Sequence, residues 1–192
     1  MSKAVMLSIR PKWVEKIASG EKTIEVRKTR PKLDTPFKCY VYCTLPKYPH
    51  EDFIATNYPM PQFYGGGKVI WEFTCDRIDR LAPANEPYGI YDIDDDYVLQ
   101  TCLENGALWD YGHGTPLYGW HISDLLIYDE PRELSEFSPV CRYKNDDNSC
   151  PSRKVACFFQ RYDYNQDGTL NIVECGKVIE HPLQSWCYVE EG

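Results

Sequence analysis

The hydrophobic period of this chain changes at Gly20, and that change fixes a helix-turn-strand unit near its start. Pro11 suits the first position of a helix, where a missing N–H costs nothing, and Trp13, Val14, Ile17 and Ala18 recur at helical spacing up to Gly20, a natural stop. Beyond Gly20 the period becomes two. Ile24 and Val26 share one face of a strand, while Thr23, Glu25 and Arg27 share the other. Helix and strand therefore meet at a turn that carries Glu21 and Lys22.

The same alternation returns further on. Phe37, Cys39, Val41 and Cys43 alternate with Lys38, Tyr40, Tyr42 and Thr44, and over 68–79 Val69, Trp71, Phe73 and Cys75 stand opposite Ile70, Glu72, Thr74 and Asp76. Between these two strands, residues 45–63 hold four prolines and no periodicity, which predicts a long loop. Asp94, Asp95 and Asp96 suit the positive end of a short helix carrying Val98, Leu99, Cys102 and Leu103. Residues 118–128 are rich in aromatic and branched side chains and predict closing strands, followed by a capped turn over 131–137. Trp186 and Tyr188 alternate in a last strand or anchor over 182–190. Strands in this number, with only one or two helices, predict an α+β fold. The expected form is a small closed or partly closed β-barrel with flanking short helices, and doubly wound parallel folds are disfavoured. At 192 residues and 43% hydrophobic the chain can bury one sizeable core. Residues 1–137 read as the barrel and 138–192 as a Cys-rich C-terminal extension.

Net charge is -8, which argues against indiscriminate binding to a polyanion. The distribution qualifies this: residues 1–47 carry eleven Lys and Arg against four acids, or +7, leaving -15 for the remainder. A basic surface on an acidic protein is the expected result. The opening residues contain no apolar run long enough for a signal segment, and no later stretch is long enough to span a membrane, so a soluble, cytoplasmic protein is expected.

The residues Ser8-Ile9-Arg10-Pro11-Lys12, then Ile17, then Gly20-Glu21-Lys22-Thr23-Ile24-Glu25-Val26-Arg27 resemble the signature of ASCH domains. There a helix opening on I-x-P is followed by G-x-K-x-x-E-x-R entering the first strand. The resemblance covers roughly residues 4–137 and implies a PUA-like barrel with a cleft beside this motif that binds RNA or a nucleotide. It implies Lys22 and Glu25 as a catalytic pair if the protein is an enzyme, and Arg10, Lys12, Lys22, Thr23, Glu25 and Arg27 as ligand contacts. The activities it implies are an amidohydrolase acting on an N-acylated cytidine, or a ribonuclease. The threonine that the small amidohydrolases carry three residues after the lysine is Glu25 here. Independently of the family, Glu25 and Arg27 lie two apart on one strand face, and Lys22 adds a cation at its entrance. Tyr40, Tyr42, Trp13 and Trp71 are candidate stacking surfaces for unpaired bases. Trp120 and His121 read as a packed Trp beside a satisfied His.

No cofactor is required by this reading, but the extension suggests two metals. Nine cysteines in a chain without an export signal are expected to stay reduced or bind metal. Cys141, Cys150, Cys157 and Cys175, separated by eight, six and seventeen residues, form a candidate structural zinc set, without a C-x-x-C knuckle. The run from Asp163 to Glu174 fits the twelve-residue calcium loop, with oxygen ligands at its positions 1, 3, 5, 9 and 12 and Gly168 at the sixth. Its short, interrupted flanks favour instead an acidic Asp-Gly hairpin. A metal-binding interaction protein built on this segment is the third functional class.

Overall fold

The computed structural model describes residues 3–45, 66–84, 89–140, 160–164, 170–174, 179 and 184–191. In chain order these form β1 (Lys3–Ile9), α1 (Pro11–Ala18), β2 (Ile24–Arg27), β3 (Phe37–Cys43), β4 (Lys68–Leu81), α2 (Asp95–Thr101), α3 (Asn105–Gly112) and β5 (Leu117–Arg132). A 3-10 turn (Leu134–Glu136) then precedes β6 (Gln160–Tyr164), β7 (Leu170–Glu174) and β8 (Trp186–Glu190). Six strands make one sheet in the order β2-β5-β4-β3-β1-β8, in which β1 and β3 run parallel and every other neighbour is antiparallel.

The sheet is buried on both faces. Val5, Leu7 and Ile9 pack with Val14 and Ile17 of α1 and with Phe37, Cys39, Val41, Phe73 and Trp120 in one core. Ala4 and Met6, pointing the other way from β1, join Tyr40, Tyr42, Val69, Phe137 and Val189 in a second. β3 thus contributes to both cores, as its two alternating sets require. A register shift between Val69 and Trp71 puts these two residues in different cores, although unbroken alternation places them on one face. The aromatic stretch 118–128 belongs to one sixteen-residue strand, β5, with repeated register shifts against β4.

The closed barrel is corrected to an open sheet. No ladder joins the edge strands β2 and β8, because β2 has only four residues and the chain leaves the sheet at Lys28. The edges are linked through side chains instead: Trp186 Nε1 donates to Thr29 Oγ1 at 3.0 Å, and the backbone N–H of Lys32 donates to the Tyr188 hydroxyl at 2.6 Å. β8 comes from the segment read as an extension, yet it pairs with β1 in the main sheet.

β6 and β7 form a separate antiparallel pair in which Asp163 stands opposite Asn171. The residues just before Asp163 are thus strand, where a calcium loop has a helix, and β7 lies within the run itself. The four candidate zinc ligands, Cys141, Cys150, Cys157 and Cys175, lie outside the described residues, as does the loop 45–63 apart from Leu45. Among the described residues no helix is long and apolar enough to cross a membrane.

Two thiols inside the first core make the fold sensitive to alkali. Burial pushes Cys75 up to about 12 and holds Cys39 well above the ordinary thiol value of 9.0. The folded thiol keeps a proton that the unfolded chain loses, so stability is intact below pH 9 and falls as pH rises toward 12. At 1.36 kcal/mol per pH unit, Cys75 is expected to remove about 2 kcal/mol between about pH 9 and pH 10.5. Urea unfolding at both pH values measures this, and Cys75→Ala should flatten the slope. A wild-type midpoint that does not move would show that the thiol ionises without opening the core.

Candidate functional site

The turn after α1 aims a lysine inward. Gly20 adopts φ +79°, which suits a residue without Cβ, and its N–H bonds to the Ile17 carbonyl. The Lys22 N–H then bonds back to the Lys16 carbonyl at 2.8 Å, folding the chain beneath α1. The Lys22 side chain is only 1% exposed. Its Nζ donates to the carbonyls of Ile24 at 2.8 Å and Thr101 at 2.7 Å and lies 3.4 Å from Glu25 Oε2. Two hydrogen bonds and one ion pair therefore hold the ammonium. Thr101 ends α2, so the cation also meets the negative end of a helix. Burial lowers the Lys22 pKa, and the Glu25 carboxylate opposes that shift without reversing it.

The face of β2 that carries Glu25 and Arg27 is buried as well. Arg27 Nη2 pairs with Glu25 Oε1 at 3.0 Å and donates to the Ser8 carbonyl of β1 at 2.8 Å. The result is a buried cation-anion-cation row running from α2 to β1. Two polar atoms of this region, Arg27 Nε and Ser8 Oγ, are buried without a hydrogen-bond partner.

Beside the row lies a cavity of about 430 Å³. Lys22 lines it from the turn after α1, Glu25 and Arg27 from β2, Ser8, Arg10 and Lys12 from the junction of β1 and α1, and Tyr111 from α3. Arg10 and Lys12 are exposed at its rim, with the Lys12 ammonium 4.5 Å from the centre of the Trp13 ring. Trp13 itself borders the cavity, and Lys28 sits 4.9 Å from the centre of the Tyr111 ring. The arrangement offers donors, one carboxylate acceptor, two aromatic rings and cations at the entrance.

Five of the six ligand contacts inferred from sequence thus line one cavity. Thr23 does not: it is exposed, its N–H bonds to the Gln100 carbonyl and its Oγ1 lies 3.4 Å from Gln100 Oε1. Of the stacking candidates only Trp13 reaches the cavity; Tyr40, Tyr42 and Trp71 are at most 3% exposed and belong to the cores. Trp120 is fully buried and His121 Nε2 lies 2.6 Å from Asp79, as read from the sequence. Ser8 and Tyr111 are cavity residues to which the sequence reading gave no role. The first stands as a lone hydroxyl in an apolar strand, which was a usable signal; the second lies on α3, which the sequence reading left unassigned.

The chain is similar to the crystal structure of ASCH from Zymomonas mobilis, at 19% identity and a TM-score of 0.48, over 69% of this chain and 75% of that one. It is similar to two mutants of that protein at 18% identity. One carries phenylalanine for tyrosine (TM-score 0.45, 70% and 78% covered) and the other alanine for serine (TM-score 0.44, 69% and 75% covered). These structures bear the name of the family that the Gly20 to Arg27 motif resembles. No family model and no curated protein matches the chain.

Proposed function

We propose that the cavity binds a nucleotide of single-stranded RNA, with phosphates held by Arg10 and Lys12 at the rim and a base admitted toward Glu25 and Arg27. The observation that carries this is the half-open cavity and its lining. Its floor is a polar row in which two cations share one carboxylate, rather than a bare cation cluster, and the exposed Arg10 and Lys12 stand at its rim. A row of this kind suits hydrogen bonding to a neutral heterocycle, whereas exposed Arg and Lys suit phosphate. Trp13 and Tyr111 supply two rings to the lining.

Binding of a fluorescent RNA hexanucleotide, followed across a salt series, tests it. Replacing both Arg10 and Lys12 by alanine is expected to weaken binding and to make the log-log salt dependence shallower by about 1.4, since each phosphate contact to a single strand contributes about 0.7. No binding by wild type, or an unchanged slope in the double variant, would refute the reading.

A second reading keeps the same cavity but makes it hydrolytic, with Lys22 and Glu25 exchanging protons during cleavage of an acylated nucleoside or an RNA strand. The lowered pKa of Lys22 favours it, since a lysine of lowered pKa is better suited to accept a proton. The two carbonyls and the carboxylate that already hold the ammonium favour binding instead. Mass spectrometry of incubated mixtures decides, because only the second reading yields a product.

A further inference from the structure

The fold does not account for the hydroxyl of Ser8. β1 is otherwise apolar from Ala4 to Ile9, every residue of that run is buried, and Ser8 is 8% exposed. Its backbone is fully used: the N–H donates to the Ser185 carbonyl, and its own carbonyl accepts from Arg27 Nη2. Its Oγ has no partner, and neither does the neighbouring Arg27 Nε. A buried hydroxyl without a hydrogen bond destabilises the fold, and alanine would fill the same position in the strand without that cost. Both orphaned atoms belong to residues that line the cavity, and each is closed to water until a side-chain rotation turns it outward.

We propose that Ser8 contacts the ligand and determines specificity: with Arg27 Nε and Glu25 it reads the hydrogen-bonding edge of an unpaired base. This rests on the nucleotide reading above and says which part of the nucleotide enters. The three groups are chemically distinct. Arg27 Nε–H can only donate, the Glu25 carboxylate can only accept, and the Ser8 hydroxyl does either. Each Glu25 oxygen receives one interaction in the protein, from Arg27 or from Lys22, and keeps a further lone pair. Lys22 is held by the carbonyls of Ile24 and Thr101 and pairs with Glu25, so it is a positioning residue that holds Glu25 in place. A phosphate would meet the carboxylate in this row and gains nothing from an acceptor, whereas a base edge carries donors and acceptors side by side. The base therefore goes in and the phosphate stays out. A base already paired in a duplex has no edge to present.

Ser8→Ala tests this because the two expected effects have opposite signs. Without ligand, the variant is expected to melt about 3 °C or more above wild type, since an unsatisfied polar group is gone. Its affinity for the RNA hexanucleotide and for free nucleosides is expected to fall about tenfold, the worth of one buried hydrogen bond. Ribose 5-phosphate and inorganic phosphate should compete poorly with both proteins. A lower melting temperature with unchanged binding would overturn the proposal by showing the hydroxyl satisfied within the fold, and a parallel loss of both would make Ser8 merely structural. Equal competition by ribose 5-phosphate would overturn it while leaving the nucleotide reading intact. If wild type binds no RNA and no nucleoside, the nucleotide reading fails and this proposal fails with it.

Discussion

Lys22→Met is expected to lower the melting temperature by about 10 °C, whereas Lys16→Met, which also removes an ion pair, should leave it unchanged. The two lysines differ in surroundings, not in chemistry. Lys16 pairs with Glu21 at 2.8 Å where both side chains are largely in water, so the charges are screened whether or not they pair. Lys22 is enclosed, and methionine of similar length removes its charge without opening a hole. What remains is a carboxylate that keeps only Arg27 and two buried carbonyls, of Ile24 and Thr101, with no donor. Breaking a buried pair on one side typically costs about 3–5 kcal/mol, and in a chain of this size each kcal/mol moves the midpoint by roughly 2–4 °C. Thermal unfolding of the three proteins at neutral pH is the measurement. A Lys22→Met midpoint within about 2 °C of wild type would show that the row is hydrated and its hydrogen bonds are replaceable.

That expectation also bears on function. Lys22 joins the end of α2 to β2, and the chain between α2 and α3 includes Leu103, which lines the cavity together with Tyr111 of α3. Loss of Lys22 should therefore weaken ligand binding by displacing Glu25 and one wall, even though its own ammonium is occupied. Loss of binding in a Lys22 variant is thus no proof that the lysine touches the ligand. The opposite signs expected for Ser8→Ala are the sharper criterion.

How much was legible in the sequence follows from which residues are buried on one side and which on two. α1, β2 and β3 were readable because period 3.6 and period 2 leave clear traces when a helix stops at a glycine or when a strand's two faces differ in composition. β1 was not assigned as a strand, although it sits between β3 and β8. Residues Ala4 to Ile9 are covered on both faces and so, Ser8 apart, read as an apolar run with no period. The barrel was overcalled because strand count does not reveal that β2 is only four residues long. The charged motif was legible as a cluster, but its burial was not: alternation placed Glu25 and Arg27 opposite Ile24 and Val26 without indicating that α2, α3 and β1 cover that face too. α3 has almost no amphipathic signature, since Asn105 to Gly112 mixes two glycines with two aromatics, and Tyr111 was missed with it.

Trp120→Ala is expected to cost about 3–5 kcal/mol, and its effect should reach both the site and the open edge of the sheet. Trp120 is fully buried on β5. It stands across the ladder from Glu25 on one side and pairs with Ile78 on the other. Its ring meets Phe37 edge-on at 5.8 Å and Trp186 of β8 at 6.0 Å. Trp186 is in turn the residue whose indole reaches Thr29 just beyond β2, so one side chain supports the link that stands in for a barrel-closing ladder. Its own indole N–H is buried without a partner and contributes no hydrogen bond that a phenylalanine would lose. Trp120→Phe should therefore recover most of the stability, because it restores ring area and leaves no orphaned donor. Urea unfolding measures the two costs, and hydrogen exchange of the β8 amides measures whether the edge loosens in Trp120→Ala before global unfolding. Should Trp120→Phe prove as unstable as Trp120→Ala, the indole nitrogen has a partner that matters. Unchanged β8 protection in Trp120→Ala would show that backbone pairing, with β1 on one side and with Ser138 and Val140 on the other, holds the last strand in place.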